Sequence, residues 1–98
     1  MENDATVRES GITAVEPNPT PGGTQVRYAV ARETRVRLEV LDVSGRVITT
    51  LVNGRQVAGS YSATWNGRTS GGRAPAGIYF MRLTDGSGTS SRRLALVR

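Results

Sequence analysis

Apolar residues occupy every second position in several short stretches of this chain. Val26, Tyr28 and Val30 alternate with Gln25, Arg27 and Ala29, and Val36, Leu38 and Val40 alternate with Arg35, Arg37 and Glu39. A period of two sends the apolar set to one face of a strand and the polar set to the other, so both stretches are predicted as strands with one wet face. Tyr61, Ala63 and Trp65 repeat the pattern against Ser62 and Thr64. Residues 78–83 and 91–97 are two further predicted strands, and residues 11–15 add a short first one. The stretch 46–52 differs: Val47 and Ile48, then Leu51 and Val52, are apolar neighbours, which predicts cover on both faces.

Turn chemistry separates these stretches. In Glu16-Pro17-Asn18-Pro19, each proline lacks an amide donor and restrains the residue before it, so the segment is an extended turn routing the chain into its sheets. In Asp42-Val43-Ser44-Gly45, the carboxylate can accept backbone amides and the glycine is free to take positive φ. Asn53-Gly54 predicts a second hairpin turn, the glycine-rich stretch 66–77 a flexible loop, and Asp85-Gly86-Ser87-Gly88 a last turn. Short alternating strands with turns about every ten residues are the pattern of an all-β fold, an immunoglobulin-like antiparallel β-sandwich of about seven strands. Residues 1–10 are polar and without period and read as a flexible linker or leader, leaving one domain over residues 11–98.

Composition narrows the chemistry. Cysteine, histidine and lysine are absent, which removes disulfides, thiolate nucleophiles, the commonest metal ligand, the usual general base and the Schiff-base amine. Glu39 and Asp42 lie close in sequence, at a strand end and a turn, where Asp42 reads as structural. No catalytic residue, no metal site and no cofactor is expected, and the chain is not expected to be an enzyme. Tyr28, Tyr61, Trp65 and Tyr79 fall in phase with core positions, which leaves Phe80 as an exposed ring, too little for a carbohydrate platform.

All thirteen basic residues are arginine, against eight acids, for a formal net charge of +5. Residues 1–31 carry two arginines and four acids, so the excess lies in the remainder. Such an excess favours anionic partners. Specific nucleic-acid binding is not expected, since stacking platforms and a groove-reading element are both missing. Alternate strand positions make most of these arginines a solvated face; the cluster Arg92, Arg93 and Arg98 is the most suggestive of a charged partner.

The phrases Pro17-Asn18-Pro19, Asp42 with Gly45 and Arg46, Trp65-Asn66-Gly67, Gly77 with Tyr79, and Arg92-Arg93-Leu94-Ala95-Leu96-Val97-Arg98 occur in that order. As a set they resemble the type A C-terminal sorting domain that type IX secretion systems read as an export address, a module related to the immunoglobulin-like domain of flagellar hook-capping proteins. The resemblance runs from about Val15 to Arg98, with arginine where the closing motif is usually rich in lysine. It implies a non-catalytic secretion signal that takes a larger cargo through the outer membrane to the surface or medium. The partners it implies are the type IX translocon and processing machinery, an upstream cargo domain in the same polypeptide, and anionic surface polysaccharide.

Under that reading residues 92–98 form an edge strand offering unpaired backbone groups to a receptor, with Arg92, Arg93 and Arg98 supplying charge and Leu94 and Leu96 fixing register. The plainer reading is that the strand only completes the sheet. The competing function is a passive spacer or interaction module of a multidomain surface enzyme or hook-cap-like assembly.

Overall fold

The structure is a computed structural model that describes residues 9–98. Most of the stretch read as a leader therefore lies outside the described residues. Ser10, its last residue, is anchored, with its Oγ accepting the Ala31 amide at 3.0 Å.

Nine strands follow in chain order: β1 (Gly11–Glu16), β2 (Thr24–Val30), β3 (Thr34–Leu41), β4 (Val47–Gln56), β5 (Gly59–Trp65), β6 (Arg68–Thr69), β7 (Gly72–Arg73), β8 (Gly77–Asp85) and β9 (Gly88–Leu96). Three form a sheet in the order β1-β2-β5, four form a second in the order β4-β3-β8-β9, and β6 and β7 make a small ribbon. The seven long strands are the expected immunoglobulin-like sandwich, and every strand pairing within the sheets is antiparallel.

The core lies where the period of two puts it. Val26, Tyr28 and Val30 of β2 face Val36, Leu38 and Val40 of β3, Tyr79, Met81 and Leu83 of β8, and Leu94 and Leu96 of β9, all buried. Register keeps like faces together: Leu38 pairs with Leu83, Val40 with Met81 and Tyr79 with Leu94. Trp65 and Tyr79 meet edge to face at 5.3 Å, and Tyr28 and Tyr61 stack at 5.5 Å. Tyr61, expected in the core, is half-buried, because β5 is the rim strand of its sheet.

Several local expectations give way to tertiary context. Asn53-Gly54 is not a turn: Asn53 pairs with Arg37 and Gly54 with Val36 within the unshifted part of the β3–β4 ladder, which runs from Thr34 opposite Gln56 to Leu38 opposite Val52. Strand β3 needs that partner, and the chain turns later, at residues 57 and 58, where it crosses to the other sheet. The apolar neighbours of β4 do not mark cover on two faces either. The β3–β4 register shifts twice, between Leu38 and Glu39 and between Val40 and Leu41, and each bulge brings an extra residue toward the core. Ile48, Leu51 and Val52 consequently all pack against the core, while Val47 stays exposed.

The glycine-rich stretch 66–77 is ordered rather than loose. Gly67 accepts the Ala74 amide at 2.9 Å, Trp65 Nε1 donates to the Arg68 carbonyl at 2.9 Å, and Ala74 is buried. Gly67 has φ 77°, and a Cβ there would sit 2.7 Å from the Gly22 carbonyl oxygen. We expect Gly67→Ala to destabilise the domain by about 2 kcal/mol in urea denaturation, whereas Gly71→Ala, whose Cβ would meet only Thr69 Oγ1 at an ordinary contact distance of 3.8 Å, stays within about 0.5 kcal/mol of the parent.

Candidate functional site

The residues singled out by sequence converge on strand β9. In sheet order β9 is an edge, paired only with β8. Its outer side is nevertheless occupied over its last turn of chain. Asn18 donates from Nδ2 to the Arg93 carbonyl at 2.8 Å and accepts the Ala95 amide on Oδ1 at 3.1 Å. Thr20 then donates its amide to the Ala95 carbonyl at 3.0 Å and accepts the Val97 amide at 2.8 Å, forming a parallel bridge opposite Leu96. The asparagine side chain thus stands in for a peptide group, and Pro17 and Pro19 on either side contribute no stray donor. Both the Glu16-Pro17 and Asn18-Pro19 bonds are cis.

This geometry corrects the expectation that residues 92–98 offer an open backbone edge: over residues 93–97 the edge is already hydrogen-bonded. Arg92 is also engaged, its Nη2 donating to the Ile12 carbonyl at 3.0 Å, while Ser90 Oγ accepts the Ile12 amide at 3.2 Å. Leu94 and Leu96 are core residues. The Arg98 guanidinium donates to three carbonyls, those of Ala74 at 2.9 Å, Gly67 at 3.1 Å and Pro21 at 3.3 Å, and so ties the β6–β7 ribbon to the proline segment. Among the five residues, Arg93 alone presents an exposed side chain with no hydrogen-bond partner among the described residues.

Arg93 is opposite Phe80 on the outer face of the four-stranded sheet, and Phe80 is opposite Leu41. Leu41 is buried and Phe80 half-buried, so the ring is not the free one expected from parity. Sequence reading missed this apolar outer patch. Its signal was Leu41 itself, an apolar residue on the parity of Arg37 and Glu39.

Glu39 also departs from the wet face assigned to it. It is buried between Arg37, whose Nε is 3.3 Å from Oε2, and Arg82, whose Nη2 donates to Oε1 at 2.9 Å. A carboxylate held in this fork is part of the sheet surface, and Asp42 is equally committed. Asp42 Oδ1 accepts the Ser44 hydroxyl at 2.6 Å, the Ser44 amide at 2.9 Å and the Arg46 amide at 3.0 Å, with Gly45 at φ 87°. Asp85 repeats the device in the β8–β9 turn, accepting the Ser87 amide and hydroxyl at 2.7 Å each.

The remaining positions of the motif set, Gly77 and Tyr79, are joints of the same kind. Gly77 begins β8 opposite Leu96, and the Tyr79 hydroxyl donates to the Pro75 carbonyl. A tyrosine tied to backbone four residues upstream pins the strand entry, as corner tyrosines do in immunoglobulin-like sandwiches.

These joints and the two packed sheets define an immunoglobulin-like domain. Residues 18–89 match the family model of the FlgD Ig-like domain, and the chain belongs to that family. Two solved structures are similar. Dimeric latent PorU from Porphyromonas gingivalis is 16% identical over 88% of this chain, with a TM-score of 0.68, and only 9% of that chain is covered. FlgD from Xanthomonas campestris, solved for its role in the hook capping essential for flagellar assembly, is 24% identical over 96% of this chain and 71% of its own, with a TM-score of 0.56. At these identities the likeness is one of fold. No curated protein matches the sequence.

Two outcomes follow from the turn and cap geometry. Asn18→Ala should lower stability by about 1–2 kcal/mol, the worth of two exposed hydrogen bonds, and should speed hydrogen exchange at the Ala95 amide, while Asn18→Asp keeps the acceptor and falls between. The Ser44 hydroxyl and then the Arg46 amide hold the Asp42 carboxyl below its usual range. At Asp85 burial pushes the carboxyl up, but the Ser10 and Ser87 hydroxyls and the Ser87 and Gly88 amides outweigh it and leave it lowered. A lowered folded value gives stability that is complete above the ordinary carboxyl range and lost as pH falls through the folded value. Urea midpoints should therefore decline below about pH 4, and Asp85→Asn should flatten that acid limb.

Proposed function

We propose that this domain is a non-catalytic C-terminal sorting signal that directs a larger cargo protein through the type IX secretion system to the outer surface or medium. What supports the reading is the ordered set of motifs together with one structural observation. Asn18 of the opening phrase is hydrogen-bonded to Arg93 and Ala95 of the closing phrase, so the two ends of the pattern form a single joint. A receptor able to read that joint would read the folded domain. The contact would run through side chains, with Arg93 beside Phe80 as the accessible charged position, because the backbone edge there is taken. Its partners would be the translocon and processing machinery, with an upstream domain as cargo and anionic surface polysaccharide as a place of attachment for the Arg93 face.

A second reading is favoured by the family match and by the likeness to the hook-capping structure: a passive spacer or interaction module in a multidomain surface enzyme or a hook-cap-like assembly. Neither reading needs a catalytic group or a cofactor.

The test is secretion of a signal-peptide-bearing fluorescent reporter fused to residues 11–98, in a type IX-competent bacterium and in a strain lacking the translocon. Truncation after residue 91 is a poor probe, since it removes Leu94 and Leu96 from the core. Arg93→Glu leaves the core untouched and is expected to cut surface delivery by about tenfold, the size of one charged hydrogen-bonded contact. Reporter held in the periplasm of both strains, with the domain folded, would instead favour the spacer.

A further inference from the structure

The two sheets have four edges, and three are protected. Strand β9 is capped by Asn18 and Thr20. Strand β4 is bulged twice, and its unshifted end, residues 52–56, carries the charged Arg55. Strand β1 carries a register shift between Ile12 and Ala14, and its Ile12 amide and carbonyl are taken by the Ser90 and Arg92 side chains. Bulges, caps and covering side chains are the usual means by which a sheet edge is kept from pairing with another chain.

Strand β5 has none of these. It pairs with β2 through seven consecutive residues, from Trp65 opposite Thr24 to Gly59 opposite Val30, with no shift of register. Its residues, Gly59-Ser60-Tyr61-Ser62-Ala63-Thr64-Trp65, include no proline and no charge, although the chain as a whole carries +5. Among the described residues no backbone hydrogen bond beyond the β2 ladder reaches it. Its inward side chains Tyr61 and Ala63 are only half-buried.

We propose that β5 is a self-pairing edge: two copies of the chain join antiparallel through it, about a two-fold axis at Ser62, into one continuous six-stranded sheet. A two-fold perpendicular to the sheet keeps each face on its own side, so residues of like parity must meet. Centred on Ser62, the strand is complementary to itself. Trp65 falls opposite Gly59 and Tyr61 opposite Ala63 on the inner face, while Ser60 meets Thr64 and Ser62 meets Ser62 on the outer. Each large side chain faces a small one, no like charges are opposed, and the half-exposed Tyr61 and Ala63 gain a neighbour. Among the stretches that could meet a copy of this basic chain, the neutral edge is where self-association meets least repulsion. One strand pair is a small interface, so the dimer is weak, dissociating at about 10–500 µM.

Sedimentation of this chain from about 5 µM to about 1 mM, with hydrogen exchange at both ends of the range, tests the proposal. The expected result is a concentration-dependent dimer in which the newly protected amides lie in residues 59–65. Ser62→Glu should weaken it at least about fivefold by setting two carboxylates face to face. The same change leaves the monomer's urea midpoint unaltered, since Arg27 lies opposite Ser62 within the sheet. Mixing the Ser62→Glu and Ser62→Lys variants should restore association. A monomer at every concentration overturns the proposal and leaves the edge to a strand of another protein. A dimer indifferent to Ser62→Glu, or one protected elsewhere, overturns it equally.

Discussion

The joint between the proline segment and the last strand is the contact on which the rest of this fold depends. Asn18 and the residues it bonds on β9 are separated by 75 and 77 positions in sequence. Closing a loop of that length is a cost set mainly by its existence and only slowly by its size. The return is large, because β9 brings Leu94 and Leu96 into the core beside Tyr79 and seals one end of the sandwich. An edge strand so placed would otherwise expose a row of donors and acceptors. The prolines and the asparagine answer that need together: the prolines carry no amide to satisfy, and the asparagine provides one donor and one acceptor in the spacing of a peptide.

The exclusive use of arginine has a structural counterpart. Arg98 reaches three backbone carbonyls at once, Arg92 reaches one across the rim between the two sheets, and Arg37 and Arg82 enclose Glu39 from two sides. A planar guanidinium with several fixed donors can serve carbonyls that point out of strand ends and turns, which a lysine ammonium on a flexible stem does less well. Part of the positive charge is therefore internal wiring. What remains for an outside partner is smaller and more localised than the net charge suggests, and Arg93 beside Phe80 is its clearest instance at this end of the molecule.

Recognition and edge protection are linked by this arrangement. A strand whose backbone is capped cannot be read by strand addition along residues 93–97, so a partner at that end meets side chains displayed on a finished surface. Strand addition is possible where protection is absent, on the opposite flank at β5. The domain thus presents two unlike surfaces, a charged outer face on the sheet of β9 and a neutral, uncapped edge on the sheet of β5.

Much of this was legible in the sequence. Alternation at 26–30, 36–40, 61–65 and 78–83 fixed both the strands and the inward residues, because the pleat sends neighbours to opposite faces whatever the rest of the chain does. The Asp42 turn was equally legible, since an aspartate, a serine and a glycine at that spacing satisfy one another locally. What only the tertiary structure decided were the relations that no local rule contains. Asn53-Gly54 stays extended because β3 supplies a ladder that outweighs the turn preference of two residues. Ile48, Leu51 and Val52 share one face because bulges absorb the extra positions. Glu39 is buried because two arginines from different strands close over it, and the edge at residues 93–97 is sealed because a segment more than seventy residues away is folded back against it. Local chemistry writes the elements, and the free energy of satisfying each strand's remaining backbone groups and faces settles which elements meet.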